Sequence, residues 1–224
     1  MFEQFDGNSG TVRPVAPTGQ VHELLELEQI GVRRCFARDT EIYAEGDRSD
    51  CWFRVVSGTV RICKLMVDGR RHIAEFCFSG DCFGLDTQPQ RNFAAEAVSD
   101  VIVLRFPRAP TQRLIEKRPD LSQRLCNLTM RCLAQAQGRM LLLGRMTAPE
   151  RVASFLLELA ERRDSIRVID VPMPRTDIAD YLGLTVETVC RVLSAFKRER
   201  MIAMPNPHRI QICDREALEA MREI

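Results

Sequence analysis

Glu187, Cys190, Arg191 and Ser194 stand at i, i+3, i+4 and i+7, the interval that gathers side chains on one face of an α-helix. Val189, Val192, Leu193 and Phe196 repeat the interval on the opposite, apolar face. An arginine on such a helix can hold the O6 and N7 of a guanine with both guanidinium nitrogens, and a glutamate can accept from a cytosine amino group. A thiol beside the arginine is drawn towards the thiolate, which oxidants convert to sulfinate or sulfonate. The pattern predicts base-edge reading by Val186, Glu187, Cys190 and Arg191, with Cys190 also sensitive to oxidation. Arg175, Thr176, Thr185, Thr188, Ser194, Lys197, Arg198, His208 and Arg209 are the expected phosphate contacts. The competing reading is a solvated helix on which Glu187 and Arg191 form an i, i+4 ion pair worth only about 0.3–0.5 kcal/mol. For Cys190 the alternative to a redox role is a small contact to a thymine methyl within the DNA-reading face.

Such a helix needs a frame to aim it. Arg175–Leu182 and Thr185 to about Arg200 read as two helices in steep contact, with Ala179 as the small residue where they touch. Gly183 supplies the backbone freedom for the turn between them. Ile178, Leu182, Leu184, Val189 and Val192 are expected to fill the wedge. Upstream, Thr147-Ala148-Pro149-Glu150 has the cap, first-turn proline and returning glutamate of a helix start, followed by a stripe of Val152, Phe155, Leu156 and Leu159. Ile166–Ile169 reads as a short strand, and Met204–His208 with Arg209–Ile212 as a turn and strand, a wing. The joint order of helix, strand, two helices and wing is that of a DNA-binding winged helix-turn-helix.

The chain before it splits in two. Between Val21 and Val103, Gly46, Gly58, Gly69 and Gly80 are spaced by 12, 11 and 11 residues, with β-branched and aromatic runs at 52–56, 60–64, 73–76 and 101–104. Asp68-Gly69 is a hairpin turn, and the whole predicts an antiparallel sandwich or jelly roll. Pro107 and Pro110 close this region, and no proline interrupts the chain between Pro119 and Pro149. In that long helix Cys126, Thr129, Leu133, Ala136, Met140 and Leu143 step by 3, 4, 3, 4, 3, a heptad seam suited to a second copy. Leu121, Leu125 and Leu128 form another stripe for packing inward, and one helix can serve both purposes. The expected division is a flexible arm over 1–20, a β domain over 21–118, a dimerisation helix over 119–145 and a DNA-binding domain over 146–224.

Composition narrows the alternatives. With 45% apolar and 28% charged residues in 224, the chain reads as globular, and no stretch approaches the ~18 apolar residues of a membrane span. No basic head and apolar run opens it, so a cytoplasmic protein is expected. The net charge of +1 hides a segment, 105–145, with 9 Lys+Arg against 2 Asp+Glu, or +7, which would attract phosphates locally. The nine cysteines form no Cys-x2-Cys pair, the three histidines stand apart, and most thiols are expected to be buried, so neither a metal nor any other cofactor is expected. No Cys-x-x-Cys and no His-carboxylate group near a nucleophile points to an enzyme. An open alternative is a β domain that receives a small molecule or a haem, with His72 and Cys77 as conceivable axial ligands.

The assembled pattern resembles the CRP/FNR family of bacterial transcription regulators over nearly all of the chain after residue 20. Gly46-Asp47, Val56-Ser57-Gly58 and Gly80-Asp81-Cys82-Phe83-Gly84 resemble its β-roll signatures, and Thr185–Arg191 is similar to a reading helix of pattern Glu-x-x-Ser-Arg, with Cys190 in place of Ser. The implied fold is α+β: an N-terminal β-roll (jelly roll) of the cyclic-nucleotide-binding kind, a long dimerisation helix and a C-terminal winged helix-turn-helix. The resemblance implies a homodimer on a TTGA-N6-TCAA-like palindrome that contacts RNA polymerase, and Asp86–Phe93 reads as a surface loop open to that enzyme. Cyclic-AMP binders of the family carry Gly-Glu and Arg-Ser or Arg-Thr, whereas here Gly84 precedes Leu85-Asp86 and Arg91 precedes Asn92-Phe93. The first cysteine, Cys35, stands alone, so no iron-sulfur cluster is expected either. What remains resembles the FixK-like branch, which implies control of microaerobic respiration or nitrogen-fixation genes.

Overall fold

The computed structural model describes Leu27, residues 29–162 and residues 167–222; the expected arm over 1–20 and the start of the strand expected at Ile166 lie outside the described residues. Eight strands build the first unit: β1 (Val32–Phe36), β2 (Glu41–Tyr43), β3 (Cys51–Ser57), β4 (Val60–Leu65), β5 (Arg71–Cys77), β6 (Cys82–Phe83), β7 (Ala94–Ala97) and β8 (Val101–Pro107). They form two four-stranded sheets, β1-β8-β3-β6 and β2-β7-β4-β5, antiparallel throughout. The four runs read as strands fall in β3, β4, β5 and β8. All four punctuating glycines take positive φ, and Asp68-Gly69 closes the β4–β5 hairpin. Tyr43, Phe53 and Phe83 stack between the sheets with centroids 5.0–6.1 Å apart.

Pro107 and Pro110 do not simply end this unit: they start α1 (Arg108–Lys117). A proline in a first turn is tolerated because the amide it lacks would have no partner there. Then comes α2 (Pro119–Arg145), 27 residues and roughly 40 Å long. Leu121 and Leu128 are buried in a cluster with Trp52 and Phe106, whose rings stack at 4.1 Å, and Leu125 and Cys132 pack beside it. Other apolar side chains of the helix stay in solvent: Met130 is 59% exposed, Leu133 52% and Met140 73%.

The remaining elements are α3 (Ala148–Arg162), β9 (Val168–Asp170), α4 (Arg175–Leu182), α5 (Val186–Arg198), β10 (Ile202–Asn206), β11 (Arg209–Ile212) and α6 (Arg215–Arg222). The strands pair in the order β10-β11-β9, so Met204-Pro205-Asn206, read as a turn, ends a strand of the wing. The stripe expected on α3 is buried, but so are Ala153, Leu157 and Ala160, because α6 covers a further side of the helix. Thr147 N–H donates to Glu150 Oε2 at 2.8 Å, half of the expected capping box.

The two units share a core. Phe76 of β5 meets Tyr181 of α4 at 5.1 Å and Phe155 of α3 at 6.5 Å between centroids. Beside the rings, Asp177 of α4 is 1% exposed. It accepts from Arg61 Nη1 of β4 at 2.8 Å and from Arg71 Nη2 of β5. Arg71 Nε also donates to Asp180 at 2.9 Å, and Arg162 bridges to Asp81 at 2.7 Å. The reading unit is thus held against the β-roll by apolar and ionic contacts together.

Candidate nucleic-acid interface

The turn before the reading helix is set by backbone sterics. Gly183 caps α4 in the left-handed region at φ 63, ψ 40, and Leu184 N–H returns to Ala179 O at 3.0 Å. A Cβ at that φ would be strained, and it would also sit 3.6 Å from Leu143 Cδ2 and from Arg151 Nη1. Ile178, Leu182, Val189 and Val192 are buried in the wedge, with Leu184 packed against them. Thr185 then caps α5, its hydroxyl accepting from Thr188 N–H at 3.2 Å.

Sequence reasoning missed what fastens this module to the long helix. Arg151 of α3 donates to Leu143 O and Met146 O at the end of α2 and to Leu182 O at the end of α4, each at 2.9 Å. One side chain therefore ties three segments at the joint between α2 and the reading unit. No local pattern marks it, because Arg151 occupies a polar position of an otherwise ordinary amphipathic helix.

On α5 the two faces separate as their spacing predicts. Val189, Val192, Leu193 and Phe196 are buried, and Glu187, Cys190, Arg191 and Ser194 are exposed. Glu187 does not pair with Arg191. Its carboxyl is held below the usual range first by its own backbone N–H and then by the Thr185 hydroxyl, so it turns back to the helix start. Among the described residues Arg191 makes no hydrogen bond or ion pair, and its guanidinium is free on the outer face. Val186 is half-buried against the core beneath.

The expected phosphate-facing residues fall into three groups. Thr176, Ser194, Lys197 and Arg198 lie exposed around the amino end of α4 and along α5. Thr185 and Thr188 are partly committed to the cap, their hydroxyls 3.1 Å apart. Three others already have protein partners. Arg175 Nη2 donates to Pro207 O of the wing at 3.1 Å, His208 Nδ1 lies 3.1 Å from Val171 O, and Arg209 Nε donates to Asp170 at 3.3 Å. Arg175 and His208 thus brace the wing, and the sequence could not reveal it because their partners are carbonyls far along the chain.

The positive segment 105–145 is largely spent within the β-roll and on α2. Arg105 pairs with Asp50, Arg118 and Arg124 with Asp120, and Arg139 with Glu75. Of the heptad residues, Cys126, Thr129, Leu133 and Met140 are exposed and Ala136 is half-buried, whereas Leu143 turns partly inward over Gly183. In the expected polymerase-facing loop, residues 87–90 and Asn92 are exposed, but Arg91 is buried. The expectation that most thiols are buried is not met: Cys51, Cys63, Cys77 and Cys82 are buried, but Cys35, Cys126, Cys190 and Cys213 are exposed and Cys132 is half-buried, because these five lie outside the β-roll interior. Burial pushes Cys82 up to about 12 and Cys77 well above its ordinary value, which removes their reactivity.

His72 and Cys77 are not brought together. They stand five residues apart along β5, roughly 15 Å at strand rise, too far for two ligands of one iron. Among the described residues no group of three or more His, Cys, Asp or Glu side chains is arranged to hold a metal. Among the described residues no helix is long and apolar enough to cross a membrane.

A winged helix-turn-helix with a free basic face, carried on a β-roll and a long helix, defines a DNA-binding regulator, and comparison with known proteins agrees. Residues 150–221 match the model of the Crp-like helix-turn-helix domain, and residues 33–118 that of the cyclic nucleotide-binding domain. The nitrogen fixation regulation protein FixK of Azorhizobium caulinodans is 40% identical over 218 residues, covering 95% of this chain and 88% of that one. FixK of Bradyrhizobium diazoefficiens is 41% identical over 186 residues, covering 81% and 78%. The solved structure of FixK2 from Bradyrhizobium japonicum superposes with a TM-score of 0.84 at 37% identity, covering 87% of this chain and 98% of that one. The chain belongs to the CRP/FNR family of transcription regulators, and its relatives include the regulators named FixK.

Proposed function

We propose that this chain acts as a homodimer on an inverted repeat of the form TTGA-N6-TCAA, as an activator of microaerobic or nitrogen-fixation genes that works through RNA polymerase in the cytoplasm. The observation that carries the reading is the unpaired Arg191 on the outer face of α5, beside Glu187, Cys190 and Val186 at the end that enters a major groove. Thr176, Thr185, Thr188, Ser194, Lys197 and Arg198 surround it as phosphate contacts; Arg175, His208 and Arg209 join them only by sharing donors already engaged with the wing and its neighbours. Selection of operators from random duplexes by the purified protein tests the reading. Two half-sites about one helical turn apart are expected, and recovery of single, unpaired sites overturns it.

Dimerisation uses the solvent face of α2. Leu133 and Met140 leave large apolar surface in water on a helix whose other face is already packed. Leu133→Asp is expected to leave the monomer folded, because the side chain is exposed and belongs to none of the buried clusters, and to convert the dimer to monomers in sedimentation. Operator affinity falls with it, since each half-site alone supplies half the contacts.

Cys190 makes binding sensitive to oxidation. It is exposed, unlike the thiols within the β-roll core, and it lies close enough to Arg175 for the two charges to interact. Two equivalents of peroxide each transfer one oxygen to the sulfur and leave as water, turning the thiol into a sulfinate. The new charge repels phosphate and competes for Arg175, whose Nη1 is buried without a hydrogen-bond partner. Peroxide is expected to weaken operator binding about tenfold or more in a band-shift titration, with Cys190→Ala resistant. Equal loss in both proteins rules the mechanism out.

A further inference from the structure

Inside the β-roll, Arg91 is 3% exposed, in the loop between β6 and β7. A guanidinium so far from water needs an anion, and the fold supplies one from five residues earlier. Arg91 Nη1 donates to Asp86 Oδ2 at 2.7 Å and to Gly84 O at 2.8 Å, and Nη2 donates to Cys51 O. The guanidinium lies 4.2 Å from the centroid of Tyr43, which belongs to the aromatic stack of the core. Nε is buried with no hydrogen-bond partner.

The loop is built for this arrangement. Arg91 N–H donates to Asp47 O at 2.8 Å, and its carbonyl accepts from Gly46 N–H at 2.9 Å. Arg108 holds the other end, donating to Asp86 O and to Ser49 Oγ. A Cβ on Gly84 would lie 2.7 Å from Arg91 Nη1, so the close approach needs a glycine there. This domain matches the cyclic nucleotide-binding model, yet Leu85 stands where nucleotide binders carry glutamate, and it packs with the apolar cluster under α2.

We propose that the Asp86 carboxylate is a built-in ligand: it satisfies Arg91 in the position an anionic effector would take, so the β-roll closes around Arg91 without a cyclic nucleotide. The inference concerns the β-roll alone and can be tested without operator DNA.

Asp86→Ala in the full-length chain leaves Arg91 charged and uncompensated. Its melting temperature is expected to fall, then to rise saturably by about 3–5 °C with sodium formate or inorganic phosphate, against sodium chloride at equal ionic strength. Wild-type protein, already satisfied, should respond equally to all three salts. The double variant D86A/R91M should lose the anion response and regain part of the stability. Should Asp86→Ala fail to fold, Asp86→Asn keeps the shape without the charge; it is expected to melt below the wild type with no anion rescue, because its amide fills the space an anion would need. A single variant as stable as wild type with no anion response overturns the proposal. So does equal rescue of the double variant, or wild-type protein stabilised by added cyclic AMP.

Discussion

Arg191→Ala is expected to cut discrimination between the palindrome and unrelated duplex at least about 30-fold while leaving the melting temperature unchanged. Arg191 is exposed and has no partner among the described residues, so its removal costs the fold nothing. At the DNA the cost is large: a bidentate contact to guanine contributes about 1–3 kcal/mol of discrimination, and a symmetric dimer makes it twice. The sum of about 2–6 kcal/mol corresponds to at least a 30-fold loss of specific affinity. Lys197→Ala makes the contrast. A phosphate contact lowers affinity for every sequence alike and reduces the slope of log affinity on log salt by about one per site. Fluorescence anisotropy on cognate and scrambled duplexes at several salt concentrations separates the two. If Arg191→Ala behaves like Lys197→Ala, Arg191 is not reading bases.

Asp177→Ala should be the most damaging single change away from the reading face. Its carboxylate is 1% exposed and takes one oxygen to Arg61 and the other to Arg71, the two strands of one hairpin. Removing it strands two guanidinium groups at the seam, although Glu96 still pairs with Arg61 at 2.7 Å and Asp180 with Arg71 at 2.9 Å. With those partners left, a loss of about 3 kcal/mol is expected, or roughly 6–12 °C in Tm for a chain of this size. Calorimetry should also show the transition splitting as the β-roll and the reading unit unfold separately. Glu45→Ala, which breaks an exposed pair with Lys64, is the control and should leave the melting curve in place. An Asp177→Ala curve that overlays the wild type would mean that the seam holds by its aromatic contacts alone.

Much of the design is legible along the chain because it is local. The two faces of α5, the glycine between α4 and α5, the cap at Thr185, the hairpin at Asp68-Gly69 and the proline-free run of α2 each depend on residues within a turn or two of one another. Periodicity and turn chemistry are enough to place them. Four of the eight β-roll strands, β3, β4, β5 and β8, are readable for the same reason, from β-branched and aromatic runs between glycines; β1, β2, β6 and β7 are short or lack such runs and are fixed by their pairing partners.

What escaped is what depends on distant partners. Nothing in Arg175–Leu182 says that Asp177 will be sealed beneath a hairpin more than a hundred residues earlier, or that Arg151 will reach three carbonyls at once. Asp86 and Arg91 look from their neighbours like charges on a surface loop, and only the closed β-roll turns them into a buried pair. An isolated charge carries no mark of its future partner. Helix and turn propensities are set by bonds within a few residues, so the chain's own order determined the elements and the reading face. Desolvation of a charged group is decided by everything packed around it, so the seam, the joint and the Arg91–Asp86 pair came into being only when the fold closed.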